Sequence, residues 1–191
     1  MIFRNVLAAW FVVMVVMASG SLSATTVVPA DFAQMARESE VIVHGRVVAV
    51  DARLVGARRT IESVVTLEIV DPIKGANGEQ TVFRVPGGRV GRYRRVMSGA
   101  PEFNRGDEVI VFLKGRAPSL PTPYGLSQGV YRVARRGAAA TVSAPVLADG
   151  PVTRGDPSRR PLSPSAFASQ VRALLSGGDG QNVRRAIPRS R

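Results

Sequence analysis

"VIVHGRVVAVDA" at residues 41–52 and "TIESVVTLEIVD" at residues 60–71 are the two stretches that decide the fold. Both are dense in valine and isoleucine, and the turn signal "VGARR" separates them. In the second stretch apolar residues alternate with Glu62, Thr66 and Glu68, and this period of two is typical of a half-buried strand. The pair therefore predicts two strands of a β fold.

Four more stretches further along the chain have strand-like sequences, at residues 80–87, 108–115, 125–133 and 140–146. "EVIVFLKG" at 108–115 is apolar on both faces, which predicts a central, covered strand. No helices alternate with the strands, so we expect a mainly β fold: an antiparallel five- or six-stranded barrel of the OB-like kind, or a small sandwich. The predicted core residues are Val43, Val47, Val65, Leu67, Ile69, Val85, Val109, Val111 and Leu113.

Two helices are predicted outside the strands. Asp31 signals the start of a short N-terminal helix near residues 31–39. Ser163 and Pro164 form an N-cap and first-turn pair, and an amphipathic C-terminal helix follows. The predicted organisation is a signal peptide at 1–24, a β-barrel domain with its N-terminal helix at 25–148, a linker at 149–163, the C-terminal helix at 164–177 and a disordered basic tail at 178–191.

The first 24 residues have the order of a secretory signal peptide. Arg4 precedes an uncharged apolar run from Val6 to Met17, and small residues follow as far as Ala24. An uncleaved anchor helix is the alternative, but this run is shorter than the ~20 apolar residues that a spanning helix usually needs. We expect an exported protein, periplasmic or secreted, with no transmembrane segment after cleavage.

Composition narrows the possible chemistry. The chain has no cysteine, which excludes a lipidated cysteine, disulfides, thiolate metal sites and thiol nucleophiles. Its formal net charge is +12, from 26 basic and 14 acidic residues. Two interpretations of this charge stay open: the composition of a GC-rich genome, or selection for contact with an anionic surface such as lipopolysaccharide, wall polymer or DNA.

Residues 84–103, "RVPGGRVGRYRRVMSGAPEF", combine glycine with positive charge, as phosphate-binding loops do. The spacing of Gly87, Gly88 and Gly91 matches neither a P-loop nor a dinucleotide-binding motif, and the segment that follows is β-like. We therefore interpret Gly87 and Gly88 as turn glycines that allow positive φ after Pro86.

The same stretch predicts a local positive patch. Because both faces of the short segment 92–95 are charged or polar, we expect this segment at a sheet edge or in a projecting hairpin. Such a patch would bind phosphate or carboxylate groups, and its tyrosine would offer a stacking surface. Alternatively, the charge is protective and prevents aggregation through an exposed edge. The candidate anion-binding residues are Arg84, Arg89, Arg92, Tyr93, Arg94 and Arg95.

We predict no catalytic residue, metal site or cofactor. His44 is the only histidine, which excludes a multi-histidine metal site, and no "GxSxG" motif is present. The adjacent carboxylates Asp107 and Glu108 would face opposite sides of a strand. Gln128 is interpreted as satisfying backbone groups beside a bulge at Gly129 rather than as lining a pocket.

From residue 41 to residue 133 the chain resembles an uncharacterised family of exported bacterial β-rich proteins. The resemblance rests on the ordered motifs "VIVHGRV", "PIKG", "VPGGRVG", "GAPEFNRGDEVIVFL" and "GLSQGVYRV", and it implies no activity. The pair "VIVHGRVVAV … SVVTLEIVDPIKG" is more distantly similar to the OB-like barrel of netrin-type and metalloproteinase-inhibitor modules. Those inhibitors bind the protease metal through an N-terminal cysteine, which is missing here, so this similarity implies the barrel alone.

Three functions are compatible with these features. The favoured one is a non-catalytic binding or scaffolding module that contacts an anionic envelope polymer or protein through the arginine-rich segment. The alternatives are a hydrolase that acts on envelope polymers and an OB-like nucleic-acid-binding protein. Export argues against nucleic acid as a partner, because it separates the protein from the cytoplasm.

We expect the mature chain to begin at Thr25, because Ala24 is the best-placed small residue after the apolar run. Intact-mass measurement of the exported protein tests this, and the mass should lack residues 1–24. An exported protein that keeps these residues would contradict the prediction.

Overall fold

The computed structural model describes residues 30–147, 150–151, 153–157 and 160–185. The predicted signal peptide and the last six residues of the predicted tail lie outside the described residues. The strands are β1 (Ala30–Asp31), β2 (Val41–Val55), β3 (Thr60–Lys74), β4 (Gln80–Pro86), β5 (Gly88–Val90), β6 (Tyr93–Arg95), β7 (Glu108–Lys114), β8 (Thr122–Pro123), β9 (Val130–Arg136), β10 (Ala139–Ser143), β11 (Val146–Leu147), β12 (Gly150–Pro151) and β13 (Thr153–Arg154). The helices are α1 (Phe32–Glu38) and α2 (Pro164–Arg185), and a 3₁₀ turn covers Leu126–Gly129.

One antiparallel sheet organises the fold. Its strands follow the order β10-β9-β7-β2-β3-β4, and β8 pairs with the end of β7. Strands β2 and β3 have 15 residues each and pair along nearly their whole length. The two stretches that predicted the fold therefore form its longest hairpin, and the expected mainly β, antiparallel class is confirmed.

The β2–β3 hairpin bends where the two backbones come very close. The pairing shifts register at three places near the start of β2, one of them between His44 and Gly45. An added Cβ at Gly45 would lie 2.6 Å from the carbonyl oxygen of Glu68, so only glycine allows this approach. Such shifts increase the local twist. Strand β7 begins at Glu108, opposite Arg46, so the second half of β2 extends beyond the end of β7.

One face of the sheet buries the core that the sequence predicted. Eight of the nine predicted residues are buried, and Ile69 is half-buried against them. Phe83 and Phe103 join this core as an edge-to-face pair with ring centroids 5.3 Å apart. Strand β7 contributes Val109 and Val111, which lie on the same face because successive side chains of a strand alternate.

The opposite face of the sheet packs against both helices. Four aromatic rings meet there with centroids 4.9 to 6.4 Å apart: Phe32 of α1, Phe112 of β7, Tyr131 of β9 and Phe167 of α2. Most of these pairs have the edge-to-face geometry that aromatic rings prefer. Strand β7 is therefore buried on both faces, as its sequence predicted.

The N-terminal helix α1 is capped at both ends. The Asp31 carboxylate accepts a hydrogen bond from the Gln34 N–H at 2.8 Å. At the other end the Lys74 ammonium donates to the carbonyls of Ala36 and Arg37, at 3.0 and 2.7 Å. A cation in this position also complements the negative end of the helix dipole.

The C-terminal helix α2 is longer than predicted. Its first turn is capped by Ser163, whose hydroxyl oxygen lies 3.2 Å from the Ala166 N–H. The helix then continues to Arg185, past the end predicted at residue 177. Glycine lowers helix stability by about 1 kcal/mol but does not forbid the helical conformation, so the glycines at 177 and 178 do not end it. Neither described helix combines the length and the apolar character that crossing a bilayer requires.

The start of the described chain is tied to the body of the protein. The Ala30 N–H donates to the side-chain oxygen of Gln128 at 2.7 Å, and β1 pairs in parallel with β13. Gln128 is buried, so this contact places the beginning of α1 against the 3₁₀ turn. The amide thus satisfies a backbone group, although one that is distant in sequence.

A buried polar cluster lies at one end of β7. His44 Nε2 is 2.8 Å from a Glu108 carboxylate oxygen, and both side chains are buried. Arg135, half-exposed, donates to the same carboxylate at 2.5 and 2.7 Å. The Arg135 guanidinium holds the pKa of Glu108 below its ordinary value, burial opposes this, and the bond with His44 lowers the pKa further.

This cluster predicts a loss of stability in acid. A carboxylate whose pKa is depressed by folding stabilises the fold above its unfolded pKa of about 4.3, and the contribution is lost as the pH falls through the folded pKa. Arg135→Gln should therefore lower the Tm at pH 7, because the buried Glu108 carboxylate loses its guanidinium partner. In thermal melts the difference in Tm from the parent should shrink below about pH 4.

Arg136→Gln is the matched control, because Arg136 is exposed and has no carboxylate partner among the described residues. Its Tm should stay within a degree or so of the parent at every pH, as expected of an unpaired surface residue. Equal losses of Tm in the two variants would contradict the assigned role of Arg135.

Candidate anion-binding site

The arginine-rich segment forms a small hairpin of its own. Strands β5 and β6 pair antiparallel, with Arg89 opposite Arg94 and Gly88 opposite Arg95. They form a two-stranded sheet separate from the main sheet, and β5 packs against β2 and β3. The charges predicted a sheet edge or a projecting hairpin, and the segment is a hairpin that covers part of the β2–β3 pair. We call residues 88–95 the arginine hairpin.

Two glycines attach the arginine hairpin to strand β3. Gly87 and Gly88 have φ values of +98° and +129°. The Gly87 N–H donates to the Ile61 carbonyl at 3.0 Å, and its own carbonyl accepts a hydrogen bond from the Ser63 hydroxyl at 2.9 Å. An added Cβ at Gly88 would lie 2.3 Å from that hydroxyl oxygen. This geometry supports the backbone interpretation of both glycines.

Arg84 is paired with a buried carboxylate. Glu62 is only 8% exposed, and it accepts hydrogen bonds from Arg53 at 3.1 and 2.8 Å and from Arg84 at 3.4 Å. The sequence placed Glu62 on a solvent-facing side of its strand. The two arginines on the neighbouring strands make its burial possible, because they supply the charge and the donors that water would otherwise supply.

The remaining predicted residues differ in their partners. Arg94 forms an exposed ion pair with Glu102 at 2.9 Å. Arg92 donates to the Tyr93 hydroxyl at 2.9 Å, and its guanidinium lies 5.1 Å from the centroid of that ring. Such exposed pairs contribute at most about 1 kcal/mol each.

Two arginines of the hairpin remain unpaired. Arg89 and Arg95 have no carboxylate within ion-pairing distance in the part of the chain that the structure describes. Arg89 also lies directly across from Arg94, a like charge. Like charges opposite each other destabilise a strand pair, so an anion at this position would relieve the repulsion.

The hairpin separates two cavities. The inner cavity, about 330 Å³, lies between the hairpin and the β2–β3 pair, and Arg89, Arg94 and Arg95 contribute to its lining. The lateral cavity, about 360 Å³, lies beside β4, and Arg84 and Arg95 contribute to its lining. Arg95 lines both cavities and is therefore the central cation of the site.

Exposed apolar side chains gather around the same hairpin. Met97 lines both cavities, Val50 and Val96 line the inner one, and Leu126 lines the lateral one. Clustered exposed apolar residues mark interaction sites more often than scattered ones do. The large apolar side chains that are exposed in the described part of the chain are Val50, Leu54, Val70, Tyr93, Val96, Met97 and Leu126.

The charged side chains of the site suit contacts with an anion. Its unpaired groups are guanidinium groups, which stay protonated and act as donors only. Its carboxylates, Glu62 and Glu102, are each held by an arginine. Among the described residues no group of three or more histidine, aspartate and glutamate side chains could hold a metal ion.

Comparison of the chain with protein-family models, with curated proteins and with solved structures found no match.

Two glycines of the arginine hairpin provide a pair of variants for comparison. Gly88 and Gly91 both have positive φ, but an added Cβ meets Ser63 at Gly88 and nothing within 4 Å at Gly91. Gly91→Ala should lower the free energy of unfolding by about 1 kcal/mol, because alanine is strained at positive φ but its Cβ meets no other atom there. Gly88→Ala should cost about 2–3 kcal/mol for two reasons: a φ of +129° lies outside the left-handed region open to alanine, and the Ser63 hydroxyl must move and lose its bond to Gly87.

Urea denaturation of both variants measures this difference. If Gly88→Ala costs no more than Gly91→Ala, the attachment of the hairpin through Ser63 is not what makes glycine necessary at position 88.

Proposed function

We propose that this protein is an exported, non-catalytic binding module that holds an anionic partner of the bacterial envelope on the arginine hairpin. One observation carries the proposal: the guanidinium groups of Arg89 and Arg95 have no carboxylate partner among the described residues and lie beside clustered apolar side chains. Guanidinium groups bind phosphate and carboxylate in bidentate geometry. Export rests on the predicted signal peptide, and it brings such a module into contact with anionic envelope polymers.

The proposal includes the OB-like barrel expected from the sequence, as the scaffold that carries the arginine hairpin. The edge strand β4 donates the Arg84 N–H to the Pro121 carbonyl at 2.9 Å. The next two residues of that segment form β8, which pairs with β7. These contacts support closure of β7, β2, β3 and β4 around the core that contains Phe83 and Phe103. We propose an OB-like barrel on this basis, with the arginine hairpin attached at its edge.

The test is a double charge reversal. The variant Arg89→Glu/Arg95→Glu should lose retention on lipopolysaccharide-coated beads by about ten-fold at low salt, since it replaces two charge-assisted contacts by repulsion. The parent should itself elute as salt rises, because exposed charges are screened within about 10 Å at 0.1 M.

The control is Arg136→Glu/Arg160→Glu, which changes the net charge equally at exposed positions outside both cavities. It should keep most of the retention. Equal losses in the two double variants would show that net charge alone attracts the beads, and unchanged retention in Arg89→Glu/Arg95→Glu would refute the proposal.

A further inference from the structure

The lateral cavity has the properties of a ligand site that simple anion binding does not require. Its volume of about 360 Å³ lies within the range of about 300–1,000 Å³ that is usual for small-molecule pockets. Much of its wall is apolar and includes Val55, Ile61, Met97, Pro123 and Leu126. A purely ionic contact with a polymer would make no use of such a wall.

Leu126 is held at this cavity by an unusual backbone conformation. Among the non-glycine residues of the described chain, only Arg59 and Leu126 have positive φ, +48° and +61°. Arg59 lies in the turn between β2 and β3. Leu126 begins the 3₁₀ turn and is still 37% exposed, so the strained conformation is not compensated by full burial of its side chain. Strain of this kind often marks a functional position.

The polar edge of the cavity has an excess of positive charge. Glu62 is neutralised by Arg53 and Arg84 together, so one positive charge of this group is left over. Arg95 also lines the cavity and adds a second cation without a carboxylate partner among the described residues. An anionic ligand group at this edge would neutralise the excess positive charge, whereas a neutral group would leave it uncompensated.

We propose that the lateral cavity binds a single amphiphile with one apolar chain and one phosphate or carboxylate head. The chain lies against Met97 and Leu126, and the head contacts Arg95 and Arg84. This inference goes beyond the proposed function, because it assigns a single amphiphile to a cavity that contact with a polymer leaves unused. The amphiphile is either a lipid phosphate or a free fatty acid, since both present the same combination of head and chain.

Calorimetric titration of the exported protein with short amphiphiles tests the inference. Octyl phosphate and octanoate, both below their critical micelle concentrations, should bind one to one, and the better of them at least ten-fold more tightly than octyl glucoside. Inorganic phosphate alone should bind at least ten-fold more weakly than octyl phosphate. The tighter of the two anionic probes identifies the head group. Equal affinity for octyl glucoside, or for inorganic phosphate, overturns the inference.

Two variants separate the chain contact from the head contact. Leu126→Asn should weaken octyl phosphate binding at least five-fold without lowering Tm, because asparagine tolerates positive φ better than leucine does. Arg95→Gln should reduce the preference for octyl phosphate over octyl glucoside and leave the glucoside affinity unchanged. Val70→Asn makes the same kind of change at an exposed position outside the cavity and should alter nothing. Unchanged binding in Leu126→Asn overturns the inference even if the protein binds octyl phosphate.

The lipopolysaccharide retention assay distinguishes this inference from the proposed function. Leu126→Asn should keep its retention on the beads, since the arginines are intact. If retention depends on Arg89 and Arg95 while octyl phosphate does not bind, the amphiphile site is wrong and the anion-binding module stands. If octyl phosphate binds through Leu126 while retention on the beads is unchanged in Arg89→Glu/Arg95→Glu, the envelope-polymer proposal is wrong.

Discussion

Strand β7 is buried on both faces from Glu108 to Leu113, and a strand in this position must satisfy its backbone groups by pairing on both edges. Strand β2 supplies one edge, and β9 with β8 supplies the other. Each face then needs its own apolar cover. The core that contains Phe83 and Phe103 covers one face, and the four aromatic rings under the helices cover the other. The helices at the two ends of the described chain are therefore parts of a single packing unit.

The arginine hairpin depends on this arrangement indirectly. Because β2 extends beyond the end of β7 at Glu108, the outer part of the β2–β3 pair needs another segment to pack against it. The chain after β4 provides this cover, fixed by the contacts of Gly87 and Gly88 with β3. The hairpin then has too few carboxylates nearby to neutralise all of its arginines. Its free charge follows from where the fold places it as well as from composition.

Local pattern predicted the elements well, and long-range pairing less well. The period of two along residues 60–71 and the all-apolar strand at 108–115 gave the sheet and most of its core, because alternation reports burial directly. The ion pair of Arg53 and Glu62 could also be predicted from the sequence, since the two residues are equidistant from the β2–β3 turn and lie directly opposite each other. The partner of Arg94, by contrast, lies in an irregular segment that no periodicity places. The strained conformation of Leu126 has no sequence signal, because leucine normally avoids positive φ.

If the protein is exported as proposed, the bond between Ala30 and Gln128 bears on when its leader is removed. With the leader removed after Ala24, residues 25–29 separate the new N-terminus from Ala30. Five residues span at most about 18 Å when fully extended, which leaves a membrane-embedded peptidase little access to a finished domain. Cleavage is then easiest before the 3₁₀ turn has formed, so the speed of folding after translocation would set how completely the leader is removed.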